Sequence, residues 1–279
     1  MLPYETAAVR LLWAKIKDDA NAAERLHDAI VAAFVAEDLN IENGRGLTHG
    51  VVQLVMGLLT KGCKTFRAVE LTAVNGLGED AGTLTRSLYE TTMAVLFILQ
   101  KDSRRRAVMF HAYAAEQKVK MVRNWQRTPG LKRHATKELL MAVEAWRDQW
   151  RVKLPRGVNV SQHWSGSPQG LRGAATMLRA DRSYEGVYRL LSAHSHGTDL
   201  ESHMAYDESG GAELKLFPGE AYVRSNLTLS RGYLWTMADR INTRAGFSLD
   251  ATLAAVRPPE LGAARRARNG PVAKSKGRP

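Results

Sequence analysis

The stretch from Ala81 to Gln100 constrains the fold more than any other part of the chain. It reads Thr83-Leu-Thr-Arg-Ser-Leu-Tyr-Glu-Thr-Thr-Met-Ala-Val-Leu-Phe-Ile-Leu99, and its second half is apolar on every side. A helix without a polar face has to be enclosed by protein, so this one belongs at the centre of the core. The apolar run from Met93 to Leu99 is too short to cross a bilayer.

Amphipathic stretches stand ready to surround it. Thr6 to Val35 carries Val9, Leu12, Trp13, Ile16, Ala20, Ala23, Leu26, Ile30 and Phe34 at helical spacing. Thr48 to Asn75 repeats the pattern with Val51, Val55, Leu58, Leu59, Phe66 and Val69, interrupted by Gly57 and Gly62. Each such glycine costs about 1 kcal/mol relative to alanine unless a neighbouring helix packs closely there. Further helices are expected over Ser103–Thr128, Ala135–Val152, Leu171–Leu178, Ser183–Leu191, Glu220–Ala245 and Ser248–Val256. Gly157 to Gly170 reads as a loop. His203–Tyr206 and Glu213–Phe217 flank Ser209-Gly210-Gly211, a hairpin signal. The expected fold is therefore mainly α: a multi-helix bundle of seven or more helices with one small β-hairpin insertion. Residues 1–256 form a single domain in this reading, and 257–279 a disordered basic tail with little to bury.

The charge is uneven. The net value is +12; Arg257 to Pro279 holds seven Lys/Arg against one Glu, and Lys101 to Lys137 holds eleven against Asp102 and Glu116. Such clustering suits a polyanion, RNA above all. Arg104, Arg105, Arg106, Lys118, Lys120 and Arg123 are the expected nucleic-acid contacts. One cysteine, Cys63, excludes an internal disulfide framework and a cysteine zinc cage. Met1-Leu-Pro-Tyr-Glu lacks the basic and apolar regions of a secretory signal, so the expectation is a cytoplasmic protein without a membrane partner.

Ionisable chemistry concentrates at Tyr188-Arg-Leu-Leu-Ser-Ala-His-Ser-His-Gly197. Arg189 and His196 are seven residues apart, which returns to one helix face within roughly 20°. Ser192 shares that face, with Glu185 a turn earlier. His194 falls over Val187, on the apolar side. The expected catalytic set is Arg189, His196 and Ser192, supported by Arg86, Glu90, His111, Trp164, Tyr188 and His194. Arg86 and Glu90 are spaced i,i+4 just before the apolar helix begins, which suggests a partly buried pair facing the same cleft.

Several sites are absent. The chain has no phosphate loop, no Gly-x-Gly-x-x-Gly after a strand and no Gly-x-Ser-x-Gly elbow. Glu24-x-x-His27 has the spacing of a di-iron half-site, but no second copy accompanies it. His194, His196, His203 and Asp199 match no standard metal spacing. No metal and no cofactor is expected.

Thr85-Arg-Ser-Leu-Tyr-Glu90, His163-Trp-Ser-Gly166 and Tyr188-Arg-Leu-Leu-Ser192 with His196-Gly197, in that order, resemble a bacterial family of unknown function, number 5677, over roughly Thr48 to Ala245. That resemblance implies an all-helical cytosolic protein and no particular activity. Arg189 followed by His194 or His196 also resembles the HEPN superfamily, whose ribonucleases carry Arg, four to six residues, then His. This second resemblance implies a metal-independent endoribonuclease of toxin or phage-defence type, cutting single-stranded RNA and shared across a homodimer. The alternatives are a non-catalytic nucleic-acid-binding or scaffold protein, and a small-ligand-binding or metal-dependent helical enzyme.

Overall fold

The structure is a computed structural model that describes residues 3–36, 47–196, 204–206, 212–214, 220 and 222–261. Its helices are α1 (Pro3–Ala36), α2 (His49–Val74), α3 (Gly78–Gln100), α4 (Ser103–Arg127), α5 (Lys137–Arg151), α6 (Gly170–Met177), α7 (Asp181–Ser183), α8 (Arg189–His196), α9 (Val223–Ala245) and α10 (Asp250–Ala255). A π-helical turn over Tyr184–Tyr188 joins α7 to α8.

The enclosed helix is where its composition puts it. α3 packs between α2 and α9 and also touches α4, α6 and α8. Leu88, Tyr89, Val95, Ile98 and Leu99 are buried. Its buried threonines cause no orphaned hydroxyls, because Thr85, Thr91 and Thr92 each donate to the carbonyl four residues back. Asn226 of α9 ties down the start of α3 through a 2.8 Å bond from Nδ2 to the Gly78 carbonyl.

The two glycines of α2 have different fates. A Cβ on Gly62 would lie 2.1 Å from Met237 Cε of α9, so the end of that methionine occupies the space the glycine leaves. Gly57 faces open space and has no such reason. Along α1 the buried stripe is Leu12, Ile16, Ala20, Ala23, Leu26, Ile30 and Phe34, whereas Trp13, expected on it, is exposed. A small second core of Val119, Val122, Ala135 and Val143 closes the junction of α4 and α5.

The expected β-hairpin insertion is corrected. Among the described residues the architecture is helical, with no sheet layer. Between α8 and α9 the described residues form a three-residue ladder, Met204–Tyr206 against Ala212–Leu214, with Met204 opposite Leu214. Two strands of that length have no stability of their own.

Residues 257–261, expected in the basic tail, pack on the helical body. The Arg257 guanidinium lies 5.1 Å from the centre of the Trp235 ring. Glu260 pairs at 3.0 Å with Arg231, which also reaches Asp19 of α1. Residues 262–279, where the rest of the basic tail falls, lie outside the described residues. Among the described residues no helix is long and apolar enough to cross a membrane.

Candidate functional site

α8 packs on α3, and the contact is polar where Arg86 and Glu90 leave the apolar part of α3. Tyr188 Oη accepts a 2.9 Å bond from Arg86 Nη2 and donates a 2.9 Å bond to Glu90 Oε1. Arg86 Nε also stands 3.3 Å from Glu90 Oε1, and its guanidinium lies over the Tyr188 ring. The phenol is therefore a neutral bridge between two opposite charges. Burial, and then the charge of Glu90, push its pKa up, which keeps it protonated. Behind it Tyr89, Tyr184 and Tyr233 stack into an aromatic cluster. Arg86 and Glu90 thus meet Tyr188, the residue before α8, whereas the Arg189 side chain pairs with Glu185.

The π turn decides what continues from there. Its extra residue is marked by the Arg189 amide, which donates to the Tyr184 carbonyl five residues back. α8 then runs unbroken from Arg189 to His196, which puts positions 189 and 196 on one face. The Arg189 side chain is exposed and held at 3.1 Å by Glu185, which also binds Arg172 at 3.2 Å. Ser192 Oγ donates at 2.7 Å to the Tyr188 carbonyl, so its hydroxyl serves the helix. The side chains of His194 and His196 lie outside the described residues.

The basic helix is less uniform than its composition. Arg106 is 7% exposed and turned inward, donating to the Phe97 carbonyl and to Gln100 Oε1 at 2.9 Å. It is a structural cation, and its reading as a nucleic-acid contact is corrected. Lys120 Nζ donates to the Ser161 carbonyl at 2.7 Å, and Arg123 pairs with Glu144. Arg104, Arg105 and Lys118 remain exposed. His111 does not join Arg86 and Glu90: it stacks on Trp150, ring centres 4.3 Å apart, in a separate cavity lined also by Arg104 and Arg105.

A family model for a family of unknown function, DUF5677, matches residues 52–212, more than half of the chain. The chain belongs to DUF5677. The match ends before α9, short of the Ala245 limit that the motifs suggested. Neither the search of curated proteins nor that of solved structures finds a match. Within this DUF5677 chain the matched segment contains Arg86, Glu90, the His163 loop and α8.

That loop carries, among the described residues, the histidine shifted furthest by burial. Trp164, expected at the pocket, is instead an 8%-exposed plug against Phe97 and Phe110. His163 Nδ1 accepts from the Ser165 amide at 3.2 Å and from its hydroxyl at 2.8 Å, which places the ring proton on Nε2. Burial pushes the His163 pKa down to about 4 from 6.5. The unfolded chain takes up this proton near pH 6.5 and the folded chain only near pH 4. Stability is therefore complete above pH 6.5 and falls as the pH drops toward 4. We expect an acid-induced loss of roughly 1–2 kcal/mol from this group, after discounting for its partial exposure. His163→Asn should remove that part of the pH dependence of thermal melting; an unchanged profile would place the titration elsewhere.

Sequence reading alone missed Ser103, Trp150, Lys153, Arg172 and Arg244 as neighbours of charged groups. Only the Tyr184–Tyr188 spacing could have announced part of the tyrosine cluster. Among the described residues no group of three or more metal-ligand side chains converges. Glu24 and His27 serve the fold: Glu24 lies 3.8 Å from Arg67, and His27 stacks on Phe66.

Proposed function

We propose that this DUF5677 protein binds single-stranded RNA in the cytoplasm. The observation that carries the reading is that Arg104 and Arg105 stand exposed side by side at the start of α4, with Lys118 exposed further along it, and none of the three has an acidic partner among the described residues. Phosphates are the natural counter-charge for such a surface on a chain of net charge +12.

A second reading adds chemistry. The unbroken backbone of α8 brings positions 189 and 196 to one face, about 10 Å apart along the axis. In HEPN-type cleavage Arg189 would stabilise charge on the phosphorane, and His196 would move the proton between the ribose 2′-OH and the leaving oxygen. A homodimer and a toxin or phage-defence role belong to this reading. Ser192 Oγ donates to the Tyr188 carbonyl of the same helical segment.

Incubating the protein with single-stranded RNA and DNA in EDTA tests both readings. The binding reading requires a gel shift of RNA. The cleavage reading further requires a cyclic phosphate product, no cutting of DNA, which lacks the 2′-OH, and loss of cutting in Arg189→Ala and His196→Ala with binding kept. Cutting that survives His196→Ala, or that stops only because EDTA is present, sinks the cleavage reading.

A further inference from the structure

Two long helices begin at one cavity of about 1000 Å³. Thr48, Gly50 and Val51 of the α2 terminus line it, as do Ser103, Arg104 and Arg105 of the α4 terminus. Neither N-cap side chain accepts a hydrogen bond from its helix, and neither first turn holds an acidic residue. Apart from the Val51 amide, which donates to the Thr48 carbonyl, the first-turn amides keep their partial positive charge, the setting in which helices bind phosphate.

Independent observations point to a ligand. Ser103 is 9% exposed and lines the cavity, and its Oγ has no hydrogen-bond partner. The buried Nε atoms of Arg244 and Trp150, two further lining residues, have none either. Four cationic residues, Arg104, Arg105, Lys153 and Arg244, face the space against a single carboxylate, Asp102. Lys153 lies over the Trp150 ring, which also carries His111, so one wall is aromatic.

We propose that this cavity binds an organic phosphate monoester, its phosphate seated between the first turns of α2 and α4 on Ser103, Arg104 and Arg244, and its organic part lying toward Trp150. Ser103 Oγ is covered as it stands, and it reaches the phosphate by turning about χ1, which breaks no hydrogen bond. A space of this size takes a small molecule whole. The site shares Arg104 and Arg105 with the proposed RNA surface but does not depend on it.

Calorimetric titration of the full chain with inorganic phosphate, 5′-AMP and adenosine tests the site. Phosphate and AMP should compete for one site per chain, with adenosine silent. Ser103→Ala loses no internal hydrogen bond and should fold; it and Arg104→Gln should each weaken AMP about tenfold, the worth of one charge-assisted hydrogen bond. Lys17→Gln, an exposed cation on α1, should change nothing. Burial, and then Lys153, hold the His111 pKa below its ordinary value, and bound phosphate should raise it in an NMR titration. Several sites per chain, binding of adenosine as tight as AMP, or equal weakening by Lys17→Gln overturns the proposal. If 5′-phosphorylated RNA displaces AMP and 5′-hydroxyl RNA does not, the monoester is an RNA end; if neither does, it is a free metabolite. Equal displacement by both means the RNA backbone fills the cavity, and the monoester site is wrong. Loss of RNA binding with AMP binding intact sinks only the RNA reading.

Discussion

Arg106→Ala lowers the stability of the protein by about 3 kcal/mol and leaves its RNA affinity unchanged. The side chain looks from composition like one of a row of phosphate contacts, yet its work is internal. Its guanidinium sits 4.0 Å from the centre of the Phe97 ring and bonds the Phe97 carbonyl and Gln100, in the last turn of α3. A cation there offsets the negative end of the helix, and the hydrogen bonds are of the charge-assisted kind. Removing it leaves a buried carbonyl without its donor and a void over Phe97. Burial lowers the Arg106 pKa, but the group stays cationic at any physiological pH. Urea unfolding should show an earlier midpoint for Arg106→Ala, with RNA anisotropy intact well below it. A variant of normal stability that loses RNA would return Arg106 to the binding surface.

The contrast between Arg106 and its neighbours shows where sequence reading runs out. Three consecutive arginines on a helix point about 100° apart, so they cannot all face one phosphate backbone. Counting charge hides this, whereas the apolar stripes of α1 and α2 and the enclosed half of α3 survive because helical period and burial say the same thing. Arg86 and Glu90 were legible as a pair because i,i+4 contacts are local. Their bridge through Tyr188 spans about a hundred positions, and no local pattern announces it. The π turn before α8 was equally silent, since it depends on how Tyr184 and Tyr188 pack against α3. Ser209-Gly210-Gly211 suggested a hairpin insertion, but glycine-rich spacing says nothing of strand length, and the described ladder is three residues long. Trp164 read as part of the pocket, and its contact with Phe97, distant in sequence, makes it a plug instead.

The cavity at the starts of α2 and α4 was the least visible feature. Its parts come from four separated stretches, around Thr48, Ser103, Lys153 and Arg244. The basic count of α4 hinted at an anion, but not that Arg106 is buried or that Lys120 and Arg123 bond to other parts of the chain.

The central claim is that the exposed cations of α4 meet RNA phosphates, and the most direct test is RNA affinity as a function of salt. Each phosphate neutralised on a single strand adds about 0.7 to the slope of log K against log salt. Replacing Arg104, Arg105 and Lys118 together by glutamine should flatten that slope by about 2 and weaken binding by one to two orders of magnitude, roughly, near 0.15 M salt. The fold should hold, because these side chains are exposed and unpaired by acids among the described residues. Fluorescence anisotropy of a labelled single-stranded RNA over a salt series measures both quantities. The account predicts the flattened slope in the triple variant; a slope and affinity equal to those of the wild type would contradict it.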